Sequence, residues 1–165
     1  MSDMNRDEFF MREALALAEK AAELGEAPVG CVIVKGDEII GRGYNLRESS
    51  GNPLTHAEII AINEACAHVE SFRLVDCELF VTLEPCPMCA GACINSRVER
   101  VIYGASDPKA GSCGSVINLF ELPYNHKPEL TSGILSEECS AILSRFFSGL
   151  RERNKLRKKE KNADI

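Results

Sequence analysis

Two short segments of this 165-residue chain carry side chains that could bind a metal ion and move a proton, His56-Ala57-Glu58 and Pro85-Cys86-Pro87-Met88-Cys89. Cys86 and Cys89 are three residues apart, so on a helical turn their sulfur atoms share one face. The positive end of a helix lowers the pKa of a thiol and favours the thiolate, which is the form that binds metal. One imidazole and two thiolates make a catalytic zinc set, because the fourth tetrahedral position stays open for water.

Glu58 adds a possible proton carrier to this metal-binding set. His56 and Glu58 are two residues apart and do not share a helix face, so both reach one site only if it lies end-on to the first turn. Thr55 as N-cap, with Glu58 at the third helical position, would place them there and form a capping box. A carboxylate beside a zinc-activated water can accept a proton and deliver it to a leaving group, which indicates hydrolysis.

Each motif also has a plainer interpretation. A C-x-x-C pair can be a redox centre, although a redox pair is typical of a thioredoxin-like fold. In this chain prolines flank the pair and a His-x-Glu segment lies upstream, which argues against a redox role. Glu58 can be a capping-box carboxylate and nothing more. Cys93 could approach the metal by helical spacing, but we expect it to pack in the core, as we expect of the other scattered cysteines.

The elements that must position these residues alternate along the chain. Apolar spacing predicts helices over 6–24, 55–69, 85–95 and from Ser136 into the basic tail, and a short helix over 115–122. Strands are predicted at 29–34, 38–44, 78–83, 100–104 and 129–132, the first two joined as a hairpin. Residues 45–54 are predicted to form a loop. This pattern indicates an α/β fold with three α/β/α layers around a central five-stranded mixed sheet.

Composition limits the class of protein. The chain has 45% hydrophobic and 27% charged residues, which is ordinary for one globular domain. We expect that domain to cover 1–159 and end in a basic helix, with a disordered tail at 160–165. No apolar run is long enough for a membrane span, and the N-terminus shows no secretory signal. The eight cysteines are therefore expected to be reduced, in the cytoplasm.

The net charge of −6 is distributed unevenly. The segment 145–161 holds eight basic and two acidic residues, whereas the rest of the chain is acidic. A basic C-terminal segment on an otherwise acidic protein suggests a polyanion partner at that end. A solubilising helix end is the alternative, because cations near a helix C-terminus interact favourably with its dipole.

The order H-x-E followed by P-C-x-x-C resembles the zinc-dependent nucleobase deaminases. Further stretches are similar to the bacterial tRNA-specific adenosine deaminases over about 9–153, including Ala27-Pro28-Val29-Gly30, Thr82 to Ala92, Tyr103 to Gly111, Asn125-His126, Gly133 to Cys139 and Phe146-Phe147. The resemblance implies a cytidine-deaminase-like fold, one zinc ion per subunit, a cytoplasmic homodimer, and conversion of the wobble adenosine of a tRNA anticodon to inosine.

The resemblance also implies roles for single residues. His56, Cys86 and Cys89 would hold zinc, and Glu58 would carry the proton. Asn45 would hydrogen-bond the flipped base. The pocket and the neighbouring nucleotides would be contacted by Glu26, Val29, Ala57, Asp107, Lys109, Phe146 and Arg151.

Two other functions stay open at this point. A deaminase of a free base or nucleoside, of the guanine or cytosine type, would share the zinc motif but have no use for a basic C-terminal helix. A non-catalytic, zinc-stabilised RNA-binding subunit would need no free carboxylate beside the metal.

Overall fold

Five short apolar runs pair into one mixed β-sheet in the computed structural model, which describes residues 2–164. The strands are β1 (Gly30–Lys35), β2 (Glu38–Tyr44), β3 (Cys77–Leu83), β4 (Arg100–Ala105) and β5 (Glu129–Ser132). Their order in the sheet is β2-β1-β3-β4-β5. β1 runs antiparallel to both β2 and β3, whereas β3, β4 and β5 are parallel. The predicted five-stranded mixed sheet is confirmed.

Helices cover both faces of the sheet. They are α1 (Asp3–Glu23), α2 (Arg47–Ser50), α3 (Ala57–Val69), α4 (Pro87–Ser96) and α5 (Ser136–Ala163). α3 and α4 pack on one face, where Ala61, Ile62 and Ile94 meet strand residues such as Leu79 and Val81. α1 and α5 pack on the other face, in a second buried cluster that includes Phe10, Met11, Val32, Phe80, Ile102 and Cys139. The three-layer α/β/α arrangement predicted from the sequence is therefore present.

The segments that carry the predicted metal ligands and Glu58 meet at one end of the sheet. Because β1 is antiparallel to β2 and β3, the start of β1 lies beside the ends of β2, β3 and β4. The amino ends of α3 and α4 follow at the same end. Gly43 lets α3 approach β2 closely, since a Cβ there would lie 2.2 Å from the carbonyl oxygen of Ala57. The first turn of α3 is thereby fixed against the sheet.

The N-cap of α3 differs from the sequence prediction. His56, not Thr55, is the N-cap residue, with φ −72° and ψ 154°, so Glu58 is the second helical residue. The Thr55 hydroxyl instead donates to the carbonyl oxygen of Asn52 at 2.8 Å. The capping box therefore does not form, because the preceding loop holds the threonine side chain. The imidazole still projects from the end of the helix.

Three further segments differ from expectation. The predicted loop 45–54 contains the short helix α2. The predicted helix over 115–122 is reduced to one 3₁₀ turn, Leu119–Glu121. α5 continues through Ala163, so residues 160–163 of the predicted disordered tail are helical, and Ile165 lies outside the described residues. Within 2–164, no helix is both long and apolar enough to cross a membrane.

Candidate active site

The three predicted metal ligands meet at the amino ends of two helices. His56 is the N-cap residue of α3, Cys86 is the N-cap residue of α4, and Cys89 lies in the first turn of α4. The Nδ1 atom of His56 is 3.6 Å from each sulfur atom. Tetrahedral zinc, with bonds of about 2.3 Å to sulfur and 2.0 Å to nitrogen, places such donors about 3.5 Å apart. The three residues therefore fit one Zn²⁺ ion.

The hydrogen bonds of this site favour the thiolate form of Cys86. A hydrogen bond from Cys89 lowers the pKa of the Cys86 thiol to about 4, and the hydrogen bond with His56 adds to the effect. The hydrogen bond with Cys86 also raises the pKa of His56. Because the thiolate is the metal-binding form, Cys86 is prepared to coordinate zinc at neutral pH.

Glu58 is the buried carboxyl group beside the ligands. Its residue is only 4% exposed. Burial is the main reason that the pKa of its carboxyl is raised. A carboxyl group whose pKa moves toward neutrality can both accept and donate a proton at working pH. No sequence-only argument could supply this burial, which arises from the packing of α3 against β2.

A cavity of about 200 Å³ opens in front of these residues. The structure brings Val29, Asn45, Ala57 and Asp107, all predicted as base-contacting residues, to its wall. Cys89 lies beneath it and is fully buried. The complete lining also includes residues that sequence reasoning missed, namely Ala27, Arg47, Leu83, Glu84 and Ala110.

Glu26 does not line this cavity, which corrects the prediction that it contacts substrate. Its buried carboxylate accepts hydrogen bonds from the backbone N–H groups of Glu48 and Ser49 and from the Ser49 hydroxyl. Glu26 therefore anchors α2. Asn45, beside it, donates from Nδ2 to the Ala27 carbonyl at 3.2 Å and accepts from the Arg47 N–H at 3.1 Å. Together these bonds fix one wall of the cavity.

Glu84 organises the opposite wall. Its carboxylate accepts hydrogen bonds from the N–H groups of Asp107, Cys113 and Ser115, at 3.0–3.2 Å, and from the Ser115 hydroxyl. A Cβ at Gly111 would lie 2.2 Å from this carboxylate, so the loop needs glycine there. Burial opposes ionisation of Glu84, but the hydrogen bonds from Ser115, Asp107 and Cys113 outweigh it and lower its pKa. An acidic residue between an apolar strand and Pro85 was the only sequence signal for this role.

A larger outer groove of about 610 Å³ adjoins the cavity and shares Ala27, Val29, Leu83 and Asp107 with it. Its other lining residues include Lys109, Leu143, Phe147 and Arg151. Two predicted contact residues, Lys109 and Arg151, thus lie at the groove and not at the cavity. Phe146 lines neither, because it projects about 100° away from Phe147 around the helix. Its ring packs edge-on against that of Phe147, with 5.3 Å between the ring centroids. Phe147 takes the position predicted for Phe146.

Comparison with protein families agrees with this geometry. Residues 4–105 match the family model described as the cytidine and deoxycytidylate deaminase zinc-binding region. That match covers more than half of the chain and includes both helix ends that carry the metal ligands.

Similar proteins extend the match over almost the whole chain. The tRNA-specific adenosine deaminase of Bacillus subtilis is 50% identical over 157 residues, which is 94% of this chain and 98% of that protein. The protein of the same name from Haemophilus influenzae is 49% identical over 154 residues, or 92% of this chain and 89% of that protein.

Solved structures agree with the fold. One, from a study of A-to-I editing by tRNA:A34 deaminases at the wobble position of transfer RNA, superimposes with a TM-score of 0.79 and 40% identity, covering 82% of this chain and 99% of that chain. A guanine deaminase from Nitrosomonas europaea, 24% identical with a TM-score of 0.71, shares the fold over 84% of this chain and 83% of its own.

Proposed function

This chain belongs to the cytidine and deoxycytidylate deaminase family, and we propose that it converts adenosine to inosine at the wobble position of a tRNA anticodon. The observation that carries this function is a sequence identity of about 50%, over nearly the full length, to proteins named tRNA-specific adenosine deaminase. The His-Cys-Cys set beside a buried glutamate supplies the chemistry. The enzyme is a zinc-dependent hydrolase acting on the C6–N bond of the base.

His56, Cys86 and Cys89 hold the zinc ion. When bound, zinc acts as a Lewis acid that makes a water molecule nucleophilic at neutral pH. Because His56 and Cys86 line the cavity, a substrate atom that enters it can approach the site. The fit of three donor atoms within 4.8 Å of one another supports this assignment.

Glu58 carries the proton through the reaction. Its carboxylate accepts a proton from the attacking water, and the remaining oxygen adds to C6 of the purine. Glu58 gives that proton to the ring nitrogen, takes the proton of the new C6 hydroxyl, and passes it to the amino group, which leaves as ammonia while C6 becomes a carbonyl. One water is consumed and one C–N bond is broken, so the product is inosine. The nearly complete burial of Glu58 beside the ligands supports this role.

Asn45, Val29 and Ala57 hold the flipped base in the cavity. Asn45 uses one Nδ2 hydrogen on the Ala27 carbonyl, which leaves the second available to an acceptor on the base. Flipping a base out of a single-stranded loop costs only the free energy of unstacking it, which is a few kcal/mol at most. Apolar walls such as Val29 and Leu83 offset that cost by contact with the ring.

The outer groove receives the nucleotides next to the target. Lys109 and Arg151 are positioned to meet phosphates, and the half-exposed Phe147 offers a face for a base. Aromatic stacking contributes about 1–3 kcal/mol per base. We expect the affinity for RNA to fall steeply as salt concentration rises.

We infer that the enzyme is a cytoplasmic homodimer. Eight free cysteines suit a reducing compartment, where the tRNA substrate is found. Val116, Ile117 and Tyr124 are exposed on the segment between β4 and β5, which supports its burial by a second copy of the chain. Light scattering of the purified protein tests this, and a monomer mass at micromolar concentration would contradict it.

The function is tested by incubating the protein with a tRNA pool and detecting inosine by sequencing. Conversion of a wobble adenosine, lost in Glu58→Ala, is the expected result. A zinc-loaded protein that leaves every tRNA unchanged but deaminates a free base or nucleoside would establish the small-molecule alternative. A Glu58→Ala variant with unchanged function would favour the non-catalytic alternative.

A further inference from the structure

The last helix extends far beyond the body of the protein. α5 has 28 residues, but Cys139 and Ile142 are its only buried residues among those described. Every residue from Leu150 to Asp164 is exposed, Gly149 being the last half-buried one. At 1.5 Å per residue, the segment from Arg151 to Ala163 reaches about 18 Å away from the groove. We name this exposed segment, 151–163, the arm.

The arm continues the face of α5 that lines the outer groove. Each helical residue advances by about 100°, so Arg151, Lys155, Lys158 and Lys161 all project within about 80° of Phe147. Phe147 and Arg151 line the groove themselves. The row therefore begins at the groove and runs without interruption along the arm. We name these four residues the basic row.

The acidic residues of the arm lie on its other side. Glu152 and Glu160 project about 140° away from Phe147, and Leu156 projects directly opposite it. Asn154, Asn162 and Arg157 fill the remaining positions within about 80° of Phe147, with Arg157 at the margin opposite Lys155. That side of the arm thus offers five positive charges, four of them in the basic row, and no carboxylate. The far side has no continuous apolar surface, which a helix lying on a membrane would need.

We propose that the basic row binds the phosphates of the base-paired stem next to the reacting loop. The inference rests on the function proposed above and adds a second point of contact to it. Successive row residues lie about one helical turn apart, a spacing at which each lysine can meet a different phosphate. The cavity and groove hold the loop, and the 18 Å of the arm extends past it to the duplex.

The test compares two double variants with the same charge change. Lys155→Gln/Lys158→Gln removes the centre of the basic row, whereas Arg153→Gln/Lys159→Gln neutralises two residues about 120° from Phe147 on the far side. Glutamine is a good helix former, so circular dichroism should show the same helix content in both. Neither variant changes a residue of the cavity or of the outer groove.

Two RNA hairpins serve as substrates, one with the full anticodon stem and loop and one with the stem cut to two base pairs. On the full hairpin, the row variant should raise KM about tenfold near physiological salt, with kcat unchanged. The slope of log affinity against log salt should fall by about two for the row variant and stay unchanged for the control. On the short-stem hairpin, all three proteins should have the same KM.

The alternatives give distinct results. Equal KM values for the row variant and the control would overturn the proposal, since total charge alone would then explain binding. A loss that persists on the short-stem hairpin would also overturn it, because the row would contact the loop. A wild-type protein that forms no inosine in either hairpin or in tRNA would instead contradict the proposed function.

Discussion

Carboxylates at the two ends of the sheet, the site end and the far end where β4 begins, have different hydrogen-bonding partners. At the site end, Glu26 and Glu84 accept hydrogen bonds from backbone N–H groups and serine hydroxyls. At the far end, Arg100 pairs with Asp7 and Glu78 at 2.6 and 2.9 Å. Arg6 joins the same cluster through Glu78 and Asp37. Within residues 2–164, neither Glu26 nor Glu84 forms an ion pair with a lysine or arginine.

The hydrogen bonds at the site end position loops around the cavity, whereas the ion pairs at the far end anchor a helix to the sheet. Backbone N–H donors orient a loop around a carboxylate and add no cationic side chain to Arg47, which already lines the cavity beside the metal ligands. Further positive charge there would oppose zinc binding. Ion pairs at the far end tie α1 to β3 and β4, at a distance from the chemistry. We therefore expect changes at the site end to alter catalysis and changes at the far end to alter stability.

Removal of zinc should have the largest effect on the site end. Dialysis against a chelator should abolish inosine formation, because no residue can replace the metal as a Lewis acid. Amide hydrogen exchange should rise at the amino ends of α3 and α4, while strand residues around Arg100 keep their protection. Metal analysis, exchange by mass spectrometry and recovery of activity with added zinc provide the measurement. Activity in a metal-free sample would contradict the assignment.

The next largest effect is expected from Glu58→Gln. The amide cannot carry a proton, so kcat should fall by about 10²- to 10⁴-fold. Zinc content and the melting temperature should stay close to wild type, since glutamine fills the same space. Single-turnover kinetics on an anticodon stem-loop and metal analysis make the measurement. A loss smaller than tenfold would show that another group carries the proton.

Glu84→Gln should lower kcat/KM by about 10- to 100-fold. Its new amide group would face N–H donors of the loop 107–115 and displace the wall that holds Asp107. Glu26→Gln should act in the same way on the α2 wall. Glu129→Gln, an exposed change at the far end, is the matched control. The measurement is kcat/KM from steady-state kinetics at full zinc occupancy. Equal kcat/KM values for Glu84→Gln and Glu129→Gln would refute the positioning role.

Arg100→Met should alter stability and not catalysis. It leaves the largely buried Asp7 without its bidentate partner, which we expect to cost about 2 kcal/mol and lower the melting temperature by about 4–8 °C. The value of kcat/KM at 25 °C should stay within a factor of two. Lys127→Met, an exposed change near β5, should alter neither. A large kinetic loss in Arg100→Met would show that the two ends are coupled.

Patterns that depend on neighbouring residues were predictable from the sequence. The five strands are found within one or two residues of their predicted bounds, because apolar runs and intervening turns define them. The cysteine spacing placed both sulfurs at the amino end of one helix, and the His-x-Glu segment placed His56 and Glu58 at the amino end of another. The metal set was therefore evident before its distances were known.

Features that depend on distant contacts were not predictable. Glu26 looked like a pocket residue, yet its carboxylate is held by α2, more than 20 residues away. Little in the sequence indicated the role of Glu84, whose carboxylate accepts hydrogen bonds from a loop 23–31 residues further along. Thr55 differs from these two, because the partner that prevents its predicted capping box is local: its hydroxyl donates to the carbonyl oxygen of Asn52, three residues away. Each of these outcomes depends on which hydrogen-bonding partner lies nearest in space.

The strand order also has a consequence for the time at which metal can be captured. β3 lies between β1 and β4, although it follows β2 in the chain. His56 precedes β3 and Cys86 follows it, so the donors meet only after β3 has paired beside β1. We therefore expect the site to be completed late in folding, with zinc stabilising a sheet that has already formed. In a refolding experiment, metal should slow unfolding and leave the rate of sheet formation unchanged.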